Sequence, residues 1–161
     1  MPDQAVVNAS PLIFLAQADR LEFLQHKASE ILVPAAVAAE IRQHGATDPA
    51  VQALEKERWL KVVEAPVVPP RIQAWDLGPG ESSVLAFAMA HQPITAIIDD
   101  LSARRCATTF QIPVSGTLGL VLTAKKQGRI PLARPVLEQL RQSGMYLSDR
   151  VLNHALSFVR E

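Results

Sequence analysis

Three short apolar runs in this chain each end on a helix-opening signal, and this pattern constrains the fold more than any other feature. Val6-Val7 lies in an extended run over residues 4–8, and Ser10-Pro11 follows as a cap with proline at the first helical position. Ile31-Leu32-Val33 runs into Pro34, which opens a helix to about His44. Pro93 releases the run over residues 94–98, which stops at Asp99-Asp100 before a helix to about Phe110. Runs this short, apolar throughout, read as strands buried on both faces. Asp19 is placed to cap a short helix through Phe23 and Leu24, and Asp48-Pro49 to open one reaching Glu57. Residues 59–63 read as extended, and the prolines of residues 65–70 as an extended surface connection. Gly78-Pro79-Gly80-Glu81 turns into a helix through Ala90 that is apolar nearly all round and therefore buried. Val114 marks a further strand, Gly128 stops a helix over residues 116–126, and two helices over 135–142 and 148–160 complete the chain. Strands alternating with helices predict an α/β sandwich with a mostly parallel sheet, as one domain over residues 1–161.

Composition narrows the class. In 161 residues, 48% hydrophobic and 20% charged, there is ample material for a core, which excludes a disordered or coiled-coil chain. The lone Cys106 has no partner for an internal disulfide or a cysteine zinc site, so a reducing, cytoplasmic setting is expected. The N-terminus shows no signal peptide, and no run approaches the length of a membrane span. The formal net charge is zero, but unevenly distributed. Residues 1–100 hold 7 Lys and Arg against 13 Asp and Glu, while residues 101–161 hold 9 against 3. An acidic surface can therefore sit beside a basic one.

In open parallel sheets the ligand site lies beyond the carboxyl ends of the strands. Asn8 closes the first run, and Asp99 and Asp100 close the run over residues 94–98. Glu81 falls in the first turn of a helix whose start belongs at the same edge. Glu40 shares a helix face with Ala36, Val37, Ile41 and His44, an inward stripe where a carboxylate needs a partner. Carboxylates converging on one edge repel, and a divalent cation removes the conflict. Oxygen ligands without His or Cys suit Mg2+ or Mn2+.

These segments together resemble the PIN-domain family, and more closely a branch of small bacterial PIN-like proteins. The resemblance is carried by residues 7–13; by Val33-Pro34 through Glu40-Ile41; by residues 77–81 with their apolar helix; by residues 97–100 with Ala103-Arg104-Arg105; and by residues 116–120 with 124–128. It covers about residues 5–130. It implies a three-layer α/β/α sandwich and metal-dependent phosphodiester hydrolysis. Many relatives are toxin ribonucleases of bacterial toxin–antitoxin pairs (VapC-type). By resemblance, the acidic positions fall on Asn8, Glu40, Glu81 and Asp100, with Asp99 beside it. Asn8 departs from that acidic pattern: an amide oxygen can ligate a metal but brings no charge. Asp99 would replace the missing charge, and Ser115 or Thr117 would hydrogen-bond a metal-bound water.

The expected function is a metal-dependent endoribonuclease, plausibly a toxin with a cognate protein antitoxin. The competing reading is an impaired PIN-like module that binds RNA or a protein, and Asn8 favours it. A phosphorylation-receiver fold fails on order, since its paired acids end the first strand. Arg104, Arg105, Lys125, Lys126 and Arg129 are the candidate contacts to RNA phosphates. His26, His44, His91 and His154 show no ligand spacing; Cys106, Trp59 and Trp75 read as core. The helices over residues 132–160 pack on the domain or pair it into a homodimer through Val136, Leu137, Leu140, Val151, Leu152, Leu156 and Val159.

Overall fold

The computed structural model describes residues 3–161. Its chain order is β1 (Gln4–Val7), α1 (Ala9–Gln17), α2 (Glu22–Gln25), β2 (Glu30–Pro34), α3 (Ala35–Arg42), α4 (Pro49–Lys56), β3 (Leu60–Val63), α5 (Pro70–Gln73), α6 (Pro79–Ala90), β4 (Thr95–Ile97), α7 (Leu101–Thr109), β5 (Val114–Ser115), α8 (Thr117–Lys126), α9 (Arg134–Gln142) and α10 (Asp149–Ser157). The five strands form one sheet in the order β3-β2-β1-β4-β5, and every pairing is parallel. Helices flank it in an α/β/α sandwich.

The strand order explains where a site can form. From β1 the chain steps outward through β2 to β3, then returns to place β4 on the other side of β1. Val6 pairs with Leu32 on one side and with Ala96 on the other. The connections leaving the carboxyl ends of β1 and β4 part company there, opening a crevice at the switch point. The strands are buried because both faces are covered: Val6, Val7, Ile31, Val33, Ala96 and Ile97 are all completely enclosed. α6, apolar on nearly every side, lies across β1, β2 and β4.

Several boundaries differ from the sequence expectations. α1 begins at Ala9, with Asn8 as the cap residue, so Ser10 is already helical and Pro11 occupies the third helical position. Proline is tolerated there because that N–H has no intrahelical acceptor. Asp19 does not cap a helix: it adopts φ +56° and turns the chain after α1, and α2 starts later, at Glu22. The proline-rich connection ends in a short helix, α5, which opens on Pro70 and buries Ile72 completely. The apolar positions proposed for pairing are mostly core: Val136, Leu137, Leu140, Leu152, Leu156 and Val159 are buried, and only Val151 is substantially exposed. The exposed apolar side chains near the C-terminal helices are instead Leu132, Tyr146, Val151 and Phe158.

Cys106 is fully enclosed, and burial pushes its thiol up from its ordinary value. Trp59 and Trp75 pack against the core, and His44, His91 and His154 are exposed. Among the described residues no helix is long and apolar enough to cross a membrane.

Candidate metal-dependent nuclease site

Asn8 stands immediately after β1. Its backbone N–H continues the ladder by donating to the Ile97 carbonyl at 3.0 Å. Its side chain makes no capping bond to α1, although Asn is a favoured capping residue. The amide is 3% exposed, and its Oδ1 has no hydrogen-bond partner. An unpaired buried acceptor costs about 1–3 kcal/mol, so a group that persists in this state calls for a donor or a cation.

Glu40 supplies the neighbouring oxygen. A Cβ at Gly80 would lie 2.9 Å from Glu40 Oε2 and 3.1 Å from Asn8 Oδ1, so both oxygens press on the one place where α6 has no side chain. A side chain at Gly80 would displace the Glu40 tip and press on the Asn8 amide. Glu40 itself is exposed, which corrects the expected inward placement: its stem lies at the wet rim of α3 and only its tip reaches Gly80. A four-bond side chain can do this where a short one would be buried with its charge.

One residue further along α6, about 100° round the helix, stands Glu81. It lines a cleft of about 800 Å3 together with Asp99, Asp100, Arg104, Ser115 and Gly116. Glu81 lies in the first turn, where the helix dipole favours a carboxylate. Asp99 Oδ1 accepts from the Thr117 backbone N–H at 2.7 Å, and Oδ2 accepts from the Thr117 hydroxyl at 2.6 Å. Asp100 caps α7, its Oδ2 accepting from Ala103 N at 2.9 Å. A carboxylate has about four acceptor sites, so both aspartates keep capacity toward the cleft.

The acidic residues therefore form two groups rather than one. Asn8 and Glu40 meet at Gly80, and Glu81, Asp99 and Asp100 line the cleft, with the two groups joined through Gly80-Glu81. Among the described residues no three Asp, Glu, His or Cys side chains converge closely enough to hold an ion by themselves. The site expected from sequence joins the Asn8 amide to Glu40, Glu81, Asp99 and Asp100. The Asn8 amide oxygen is the part of the donor set that such a count of acids and imidazoles leaves out.

Thr117 faces Asp99. It is fully buried, and its hydroxyl is engaged by Asp99, so it positions that carboxylate. Ser115 ends β5 and borders the cleft. Arg104 borders it too, with Nη1 donating to the Ile98 carbonyl at 3.0 Å. Arg105 is exposed and lines an adjoining groove with Trp75 and Leu101. The second basic set is displaced. Thr117 opens α8 at the cleft, but Lys125 and Lys126 close it, about 1.5 Å further away per residue. Lys125 Nζ donates to the Pro131 carbonyl at 2.6 Å and lies 3.7 Å from Glu161. Arg129 neighbours His26, whose pKa is lowered by burial first and by this cation second. Lys125, Lys126 and Arg129 thus serve the far end of α8, while Arg104 lines the cleft and Arg105 the adjoining groove.

One wall of the cleft was not anticipated. Residues 144–147 and Val151, from the connection between α9 and α10 and the start of α10, line it together with the acids. The available signal was Gly144 directly after an amphipathic helix, followed by apolar residues off its stripe.

A family description settles what this arrangement belongs to: the PIN domain matches residues 4–161. The chain belongs to the PIN-domain family. The match runs through α9 and α10, beyond the 5–130 span on which the resemblance was first read, so the wall formed by residues 144–147 is part of the PIN domain itself. The PIN domain is a nuclease-type fold, and its nucleases generally depend on divalent metal. No curated protein matches the chain.

Proposed function

We propose that this PIN-domain protein is a metal-dependent endoribonuclease using Mg2+ or Mn2+. The observation that supports it is the buried, unpartnered Asn8 Oδ1 beside Glu40 Oε2 at the β1/β4 switch point. Two hard oxygens facing one another across Gly80 suit a hard divalent cation. Such an ion, when bound, offsets the charge of the scissile phosphate and supplies Lewis acidity to water. Asn8 and Glu40 would hold it, and Glu81 would complete the set from the next position of α6. Asp100 faces the cleft to orient water and accept its proton. Asp99, held at both oxygens by Thr117, presents a fixed negative charge. Arg104 would contact a phosphate of the bound strand.

The test is cleavage of a labelled single-stranded RNA with and without millimolar manganese. The expected result is metal-dependent cleavage in the parent and its loss, by tenfold or more, in Glu81→Gln. Within this reading the protein acts as the toxin of a toxin–antitoxin pair. Its expression alone is then expected to arrest growth, and Glu81→Gln to relieve the arrest.

The second reading is a module that binds RNA or a protein partner without cutting. The neutral Asn8 and the division of the carboxylates into two groups favour it. Strand binding unaffected by manganese, with no cleavage in either condition, would select it.

A further inference from the structure

The part of the cleft lining formed by residues 144–147 is built to a different chemistry from its acidic residues. Gly144, at φ +109°, turns the chain out of α9, and its N–H donates to the Arg141 carbonyl at 3.2 Å. Met145 N donates to the Leu140 carbonyl at 3.1 Å. Arg141 then secures the far side: Nη1 reaches the Leu147 carbonyl at 3.2 Å and Asp149 at 2.6 Å, while Nη2 holds Glu138 at 2.9 Å. Leu147 is buried. Between these anchors Tyr146, the only tyrosine in the chain, borders the cleft with 91% of its surface exposed.

A large aromatic side chain normally contributes by burial, and Tyr146 contributes almost none. It is held in water by a segment fixed at both ends, on the border of the same cleft as Glu81, Asp99 and Asp100. An acidic cleft repels a phosphate backbone, so an uncharged attraction is what this segment can add. A nucleobase supplies it, since every unpaired base has a free face for stacking and a base inside a duplex does not.

We propose that Tyr146 is a stacking platform for an unpaired nucleobase beside the scissile phosphate, and that it makes the site select single strands. This rests on the nuclease reading above. Val151, 46% exposed on the same wall, would pack against the edge of that base.

The experiment measures equilibrium binding of labelled single-stranded and duplex RNA, alongside cleavage and solution mass, for the parent, Tyr146→Phe, Tyr146→Ala and Glu81→Gln. Tyr146→Ala is expected to weaken single-strand binding about tenfold, the loss of one stack, and to leave duplex binding unchanged. Tyr146→Phe is expected to retain affinity, because the ring and not the hydroxyl is used. The cleavage deficit of Tyr146→Ala is expected in KM, whereas Glu81→Gln loses kcat with its strand affinity retained. Unchanged single-strand affinity in Tyr146→Ala, with manganese-dependent cleavage intact, overturns the stacking role and spares the nuclease reading. A parent that neither binds nor cuts RNA overturns both. A Tyr146→Ala variant that falls from dimer to monomer with unchanged strand affinity assigns the ring to a second copy of the chain and likewise overturns the proposal.

Discussion

Thr117 holds both oxygens of the Asp99 carboxylate, its backbone N–H at 2.7 Å and its hydroxyl at 2.6 Å. Asp99 lies two residues past β4 and Thr117 opens α8, so this pair ties together two strand-to-helix connections at the cleft. The hydroxyl spends its one hydrogen on Asp99, and its oxygen keeps only acceptor capacity.

Thr117→Val keeps the shape of the side chain and removes the donor. Losing a hydrogen bond to a charged group is expected to cost about 1.5–3 kcal/mol, with Thr117→Ser losing much less. Urea denaturation of the two variants checks this. Equal stability of valine and parent would show that the backbone N–H alone fixes Asp99.

Asp100 combines a cap with a charge, and two substitutions separate them. Asn is as good a capping residue as Asp, so Asp100→Asn is expected to stay within about 0.5 kcal/mol of the parent, while Asp100→Ala loses about 1 kcal/mol. Both are expected to lose manganese-dependent cleavage of RNA. Retained cleavage in Asp100→Asn would leave this residue with its capping role only.

Asn8→Asp restores a carboxylate at almost unchanged volume. Burial, and then the nearby Glu40 charge, would raise the folded pKa of that new group. A raised acid pKa means that stability is lost as the pH climbs above the unfolded value. Without metal, Asn8→Asp is therefore expected to melt below the parent at pH 7 and to approach it near pH 4. Manganese is expected to shift its melting temperature further than the parent's, since the ion binds only the folded pair. An identical manganese shift in both proteins would place the ion elsewhere.

Glu161 gives a pH dependence remote from the cleft. Its carboxylate accepts from Ala133 N at 2.6 Å and Arg134 N at 3.0 Å, at the start of α9. Burial acts to raise its pKa, but these two bonds and the Lys125 and Arg134 charges together outweigh it, and the result lies below the ordinary value of 4.5. A depressed acid pKa contributes stability that is present above 4.5 and lost as the pH falls through the folded value. The melting-temperature gap between parent and Glu161→Gln is expected to be widest at neutral pH and to close in acid. A gap that stays constant from pH 7 to pH 3 would rule out the ionised carboxylate as its source.

The sequence by itself determined what short-range hydrogen bonding determines. Asp48, Asp100 and Ser148 cap α4, α7 and α10 through backbone N–H groups two or three residues away, so their roles are readable from neighbouring residues alone. The strand-to-helix alternation placed Asn8, Asp99 and Asp100 at strand ends for the same reason: an apolar run buried on both faces is local in sequence. Tertiary structure decided the rest. The order β3-β2-β1-β4-β5 made β1 and β4 neighbours, and the packing of α3 on α6 set Glu40 against Gly80. The Asp99–Thr117 bonds span 18 residues and those from Glu161 to the start of α9 span 28 and 27. Residues 144–147 line the same cleft as Glu81 only because α9 and α10 fold back beside α8. No local pattern encodes such contacts, since each depends on which helices the sheet order brings together.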